Sequence, residues 1–145
     1  MIALIQRVTQ AQVEVEAEVV GRIGPGLLAL VAVQPGDAAP QVARMAERLL
    51  GYRVFADPQG RMNRSLLDTG GGLLLVSQFT LAADTRSGMR PSFTRAADPA
   101  TGRRGYEALV EALRPRLPAL QTGRFGAHMQ VSLVNDGPVT FWLQT

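Results

Sequence analysis

The 145-residue chain has no cysteine, no lysine and a single histidine, His128. Without cysteine there is no disulfide, no thiol nucleophile and no thiolate-built zinc site. Without lysine there is no Schiff base and no phosphate-loop lysine; all 15 basic residues are arginine. A Ser-His-Asp triad would have to recruit His128. A metal centre would have to rest on His128 and carboxylates alone, so neither a metal nor another cofactor is expected. No apolar run approaches the ~20 residues that span a bilayer. The start, Met1-Ile2-Ala3-Leu4-Ile5-Gln6-Arg7, lacks the charged head, apolar middle and cleavage site of a signal peptide. A cytoplasmic protein with no membrane partner is therefore the expectation.

What is present fits one domain, residues 1–145. The net charge of +3 is a mild basic bias, and its distribution matters more than its size. Arg86, Arg90, Arg95, Arg103 and Arg104 fall close together, with Asp98 the one acid between the first and the last. Arginine suits planar, bidentate contact with phosphate. The cluster reads either as a solvated face or as contact with an anionic partner such as RNA.

Residues 1–35 read as β. Val13, Val15, Ala17 and Val19 alternate with glutamates, the period of a half-exposed strand. Gly21 to Gly26 reads as a turn, and the apolar run Leu27–Val33 suits a buried strand. Val42, Met45, Ala46, Leu49 and Leu50 then define one face of a helix, with Pro40 in its first turn and Gly51 at its end. Tyr52–Phe55 reads as a short strand, Asp57–Gly60 as a turn, and Leu73–Thr80 as an apolar strand. Residues 82–98 form a long loop, a length that usually signals function or mobility. Asp98-Pro99 opens a second helix lined by Tyr106, Leu109, Val110 and Leu113 and stopped by Pro115. Met129, Val131 and Leu133 begin a last strand, which Asn135-Asp136-Gly137-Pro138 interrupts before Val139–Leu143. Strands flanking two helices indicate an α/β domain with the helices on one side of a sheet.

Two segments stand out as site edges. Ser77-Gln78-Phe79-Thr80 puts two hydroxyls, an amide and several backbone N–H groups at a strand end. Either they satisfy local backbone groups, or they hold a developing oxyanion; as nucleophiles the hydroxyls would need a base that is not near in sequence. Gly137-Pro138 sits where neither residue suits a strand. It reads either as an ordinary tight turn or as a cis bond, cheap at X-Pro, that aims two carbonyls at an α-amino group. His128 reads as a surface or capping residue. Asp84, Asp136 and Glu107 could act as acids or bases, but no spacing pairs them. Phe125, Met129 and Trp142 suit a pocket, core or interface.

The chain also resembles the D-aminoacyl-tRNA deacylases over essentially its whole length. The resemblance rests on Ile5–Val8, Leu50–Phe55, Met62-Asn63, Ser77–Thr85, Gly88–Phe93, Thr122–Gly126 and Met129–Phe141, in the family's order. It implies an α/β fold, a single three-layer domain with two helices packed on one side of its β-sheets. It implies hydrolysis of the ester joining a D-amino acid to tRNA, and of wrongly charged glycyl-tRNA. It implies a homodimer in which a Gly-cisPro pair, here Gly137-Pro138, enters the partner's pocket and excludes L-amino acids. Ser77, Gln78, Phe79 and Thr80 then line the catalytic side, Arg7 steadies the Gly-Pro loop, and Phe125 and Met129 line the pocket. In the implied mechanism the tRNA 2′-hydroxyl helps activate water while N–H groups near Phe79 and Thr80 hold the oxyanion. Arg61 and His128 depart from the family's usual residues without touching either main segment. The rivals are a non-enzymatic RNA-binding dimer and a general esterase for small D-amino acid esters.

Overall fold

A computed structural model describes every residue from Met1 to Thr145. Its organising element is β1 (Ile2–Val15), which has neighbours on both sides. On one side its first half pairs antiparallel with β3 (Gly26–Ala32) and its second half with β2 (Glu18–Ile23). On the other side β8 (Gln130–Gln144) runs antiparallel along the whole of it, from Glu14↔Gln130 to Ile2↔Gln144.

The alternation over residues 13–19 is not one strand. Glu16 and Ala17 both take positive φ, 51° and 65°, and fold the chain into a hairpin between Val15 and Glu18. Positive φ at both central residues matches the right-handed twist of the flanking strands. The turn lacks the usual Asn-Gly signature, so the period of two runs through it unbroken in the sequence.

Nor do Asn135–Pro138 break the last strand. Between Gln6↔Thr140 and Val8↔Asn135, β8 fits the four residues Asp136–Val139 opposite the single residue Arg7. Thr9 is then the unmatched residue on β1, between Val8↔Asn135 and Gln10↔Val134. A one-residue slip exchanges the faces of a strand. Ala3 and Ile5 accordingly join one apolar cluster, whereas Ala11, Val13 and Val15, of the same parity, join the other.

The sheet continues from β3 through two parallel strands, β6 (Gly72–Ser77) and β7 (Leu120–Thr122). Alternate residues of the central strands serve opposite faces. Leu27, Ala29, Leu73 and Leu75 meet Met45 and Leu49 of α1 (Ala39–Gly51) and Leu109 and Leu113 of α3 (Pro99–Leu113). Leu28, Leu74 and Val76 face Val13, Val15 and Ile23 of the curled hairpin. The result is three layers: helices, central sheet, hairpin. The hairpin approaches so closely that a Cβ at Gly21 would lie 2.7 Å from the Thr122 carbonyl oxygen.

Both expected helices form, and Asp98 caps α3 by accepting from Ala100 N and Thr101 N at 3.0 Å each. A third, one-turn helix was hidden in the sequence: α2 (Leu66–Thr69), capped by the Ser65 hydroxyl. Tyr52–Val54 is irregular rather than strand; only Phe55–Ala56 (β4) pairs, with Met62–Arg64 (β5). The apolar strand at 73–80 stops at Ser77, and Phe79–Ala82 forms a 3₁₀ turn instead.

Tyr106 ties α3 to the sheet. Its buried hydroxyl donates to the Leu75 carbonyl at 2.8 Å, which also accepts from Gly123 N at 2.9 Å. Burial pushes the phenol above its ordinary value of 10.0. A raised pKa means that the folded state holds the proton more tightly than the unfolded chain. The associated stability is complete below pH 10 and is lost as pH climbs beyond it. Tyr106→Phe should therefore cost about 1 kcal/mol at neutral pH, the lost hydrogen bond, and should flatten this alkaline decline. Urea titrations of both proteins from pH 7 to 11 measure the two effects; parallel declines would refute the assignment.

Candidate active site

The end of β6 is built by a change of direction. Gln78 N donates to the Val31 carbonyl at 2.7 Å, the last sheet-like bond of the strand. The chain then tightens into the 3₁₀ turn at Phe79–Ala82, where Leu81 N returns to the Gln78 carbonyl at 3.2 Å. The first N–H groups of such a turn have no partner within it. Those of Phe79 and Thr80 occupy this position, and both residues are exposed. The Gln78 amide donates to the Thr80 hydroxyl at 2.6 Å. No histidine or carboxylate is bonded to Ser77 or Thr80, so neither hydroxyl has a base.

Phe125 and Met129 pack against the apolar clusters on opposite faces of the sheet. Gly123, bonded to Leu75, leaves room for Met129: a Cβ there would lie 2.7 Å from the Met129 sulfur and 3.6 Å from Val76. On the helix side Phe125 meets the Tyr106 ring at 5.9 Å between centroids, with the Arg103 guanidinium 4.8 Å from its own centroid.

The Gly137-Pro138 bond is cis, and both residues lie exposed at the tip of the β8 bulge. Arg7 holds one flank. Its Nε donates to the Asp136 carbonyl at 3.0 Å and lies 3.3 Å from the Asp136 carboxylate, while its Nη1 donates to the Val54 carbonyl at 2.6 Å. Asn135 closes the other flank: its Oδ1 accepts from Val139 N at 2.7 Å, and its Nδ2 donates to the Val139 carbonyl at 3.3 Å and the Thr140 hydroxyl at 3.0 Å. This bracing side chain was not singled out in the sequence. Its signal is an amide four residues before the strand resumes, next to a Gly-Pro that needs its backbone bonds supplied by side chains.

The fold does not bring these two groups together within one chain. Register runs Arg7↔Leu27↔Leu73 across β1, β3 and β6, so Gly137 lies level with Leu73, four residues short of Ser77 and three strands away. With ~4.8 Å between strands and ~3.3 Å per residue, the separation is on the order of 20 Å.

The three candidate acids or bases, Asp84, Asp136 and Glu107, are held in ion pairs. Asp84 pairs with Arg86, whose side-chain hydrogen bond, backed by its backbone N–H, holds that carboxyl well below its ordinary range. Asp136 pairs with Arg7, and Glu107 with Arg103 at 3.5 Å. His128 is exposed and makes no hydrogen bond or ion pair to either group. Of the clustered arginines, Arg86, Arg103 and Arg104 have side-chain partners, whereas Arg90 and Arg95 have neither hydrogen bond nor ion pair.

The family model described as D-Tyr-tRNA(Tyr) deacylase matches residues 4–144. A D-aminoacyl-tRNA deacylase of Stenotrophomonas maltophilia strain R551-3 is 70% identical over 145 residues, covering 99% of both chains. One from Xanthomonas campestris pv. campestris strain 8004 is 67% identical, again with 99% coverage of each. Among solved structures, a "c-Myc DNA Unwinding Element Binding Protein" superposes with a TM-score of 0.95 at 36% identity, covering 100% of this chain and 99% of that one. A probable eukaryotic D-amino acid tRNA deacylase shares the fold, with a TM-score of 0.86 at 17% identity over 99% of this chain and 98% of that one. A match of that length, with relatives this similar from end to end, means that the chain belongs to the D-Tyr-tRNA(Tyr) deacylase family.

Proposed function

We propose that residues 1–145 act as one unit that hydrolyses the ester of D-aminoacyl-tRNA and of wrongly charged glycyl-tRNA, releasing the amino acid. The hydrolase class follows from the family. The observation that carries the chemistry is the strand end, where the N–H groups of Phe79 and Thr80, two exposed residues, stand free of the turn's own hydrogen bonds. Such groups, fixed before the reaction, stabilise a tetrahedral oxyanion where it develops, and losing one donor costs about 10²–10³ in rate. Ser77 and Gln78 shape the same edge, and Phe125 and Met129 form its walls. Water is the nucleophile, and the substrate's own 2′-hydroxyl is the group that helps activate it, since no side chain here offers a base.

Chirality is read by Gly137-Pro138. Carbonyl oxygens accept an α-amino group and leave an L side chain no room, while glycine, with nothing to reject, is admitted. The span of about 20 Å between this pair and the strand end within one chain supports a homodimer, in which each tip serves the partner's strand end. The outer edge of β8 is free to be covered: it pairs only with β1, and Val134 and Trp142 on it are 47% and 51% exposed. No helix is long and apolar enough to cross a membrane; a cytoplasmic role in translation fits the substrate.

The deciding experiment compares D-Tyr-tRNA, L-Tyr-tRNA and Gly-tRNA as substrates of the purified protein. Release from the D and glycyl esters but not the L ester is expected. Binding of tRNA without release would favour the non-enzymatic reading, for which the nucleic-acid-binding neighbour is a precedent in name. Thr80→Ala should keep kcat/KM within about tenfold of the parent, because it removes a hydroxyl that has no base but leaves the backbone N–H. Complete loss of turnover in that variant would instead make Thr80 a covalent nucleophile.

A further inference from the structure

The Leu75 carbonyl takes two hydrogen bonds, although one is enough to keep a buried carbonyl from being orphaned. Gly123 N donates at 2.9 Å and the Tyr106 hydroxyl at 2.8 Å. Tyr106 lies in the apolar core, 5% exposed, where phenylalanine would fill the same space with no polar atom to place. The fold alone does not call for the hydroxyl, because Leu75 would remain bonded to Gly123 without it. Its place along β6 sets it apart. β7 accompanies β6 only as far as Leu75↔Thr122. Val76 and Ser77 have β3 on one side, through Leu30 and Val31, and no strand on the other. Tyr106 therefore adds a bond at the last residue where both flanks are held, ahead of Ser77 and the 3₁₀ turn. The same side chain reaches the segment after β7. Its ring centroid lies 5.9 Å from that of Phe125, which follows Gly123 closely in the chain. Arg103, one turn earlier on α3, sets its guanidinium 4.8 Å from the Phe125 centroid, and a Cβ at Gly102 would lie 3.6 Å from the Phe125 Cζ. The first half of α3 is thus a seat for both segments.

We infer that Tyr106 is a positioning residue for ester hydrolysis: through the Leu75 carbonyl it fixes the strand end that presents the Phe79 and Thr80 N–H groups, and through its ring it seats Phe125. This deepens the deacylase reading and rests on it for the role of those groups. Tyr106 is buried in the core and touches no substrate; it acts on where the donors point. Donors aimed at a developing oxyanion act in the transition state and little in the ground state. A displaced strand end therefore lowers kcat more than it changes KM. Gln78 N, held by the Val31 carbonyl, anchors the same segment on its β3 side, so losing the Tyr106 bond shifts the donors without unravelling the turn. The Gly137-Pro138 bulge is braced separately by Arg7 and Asn135, which makes the choice between D and L esters independent of Tyr106.

The test compares Tyr106→Phe with Asp98→Ala. Both weaken α3: one loses a bond to the sheet, the other loses the helix cap, and Asp98 bonds to neither Leu75 nor Phe125. At a temperature where both are folded, Tyr106→Phe should lower kcat for D-Tyr-tRNA by about tenfold, less than a displacement of a full ångström would cost. Its KM should stay within about twofold of the parent's, since no substrate contact is lost, and its D-to-L ratio should not change. Asp98→Ala should keep the parent's kcat. Para-aminophenylalanine in place of Tyr106, which returns an N–H donor to the same position, should restore most of the lost kcat. The amide resonances of Phe79, Thr80 and Gly123 should shift in Tyr106→Phe and stay in place in Asp98→Ala. Parent-like kcat in a folded Tyr106→Phe protein would overturn the proposal and leave the deacylase reading standing. An equal loss of kcat in Asp98→Ala would also overturn it, because the effect would then be one of helix stability. If wild-type protein cleaves no ester, the deacylase reading falls; shifted Phe79 and Thr80 resonances would still support the hold of Tyr106 on the strand end, and unmoved ones would refute it.

Discussion

Gly137→Ala should lower kcat/KM for D-Tyr-tRNA by about a hundredfold, the scale of loss when a positioning group moves by an ångström. Gly137 has a φ of +149°, which L side chains rarely adopt. A Cβ there would also stand 2.5 Å from the Val139 Cγ2 and 2.8 Å from the Val139 backbone nitrogen. The first conflict costs on the order of 1–3 kcal/mol. The second cannot be relieved by rotating a side chain, because Val139 N is itself fixed by the Asn135 amide oxygen. The bulge must change course, and its two carbonyls with it. The tip makes few core contacts, so the protein should remain folded while its activity falls. Single-turnover hydrolysis beside thermal unfolding separates the two effects. Parent-like kinetics would remove Gly137-Pro138 from the site.

Arg7→Met should be the most destructive change at a residue outside the Gly-Pro pair. The guanidinium joins the Asp136 carbonyl and carboxylate to the Val54 carbonyl, and only 16% of its side chain is exposed. Methionine keeps most of the length and apolar stem but makes none of these bonds. Truncating a half-buried, hydrogen-bonded charge costs about 2–5 kcal/mol, much of it from the partners left unpaired. The Val54 carbonyl, on a buried residue, is one such partner. Beyond this loss of stability, freeing one flank of the bulge should loosen chiral rejection. The ratio of D- to L-Tyr-tRNA hydrolysis is expected to fall by at least about tenfold, with Arg7→Lys intermediate because it supplies a charge without the planar fork. A variant that is destabilised but keeps the parent's D-to-L ratio would reduce Arg7 to a purely structural role.

The parts of the fold legible in the sequence are those where one residue pattern serves one local structure. The apolar run at Leu27–Val33, the helical spacing from Val42 to Leu50, and the Asp98-Pro99 start all fall where the chain alone places them. The misread places have local patterns consistent with two structures. Glu16 and Ala17 carry the alternation of a strand straight through a turn, because a two-residue loop leaves the period undisturbed. Phe79 and Thr80 extend an apolar run, yet the sheet has ended: the neighbouring β3 stops at Ala32, and β7 reaches only as far as Leu75. Asn135–Pro138 look like a break, and only β1 on the far side shows that they are a bulge inside one long strand.

The residues of the candidate site follow the same division. By composition, the sequence alone excludes thiol, lysine and thiolate-metal chemistry, and its motifs suffice for family membership. It also names Ser77–Thr80 and Gly137-Pro138 as the two unusual segments, since polar and φ-restricted residues inside apolar strands are costly without a purpose. Tertiary structure decides what surrounds them. Arg7 reaches Asp136 across 129 positions of sequence, and Tyr106 reaches Leu75 across 31. Phe93 returns to Phe79 because an isolated bridge closes the loop between them. The distance between the two segments, too great for one chain to join, is set by strand order and register. These are properties of long-range pairing, and no local stretch of sequence encodes them.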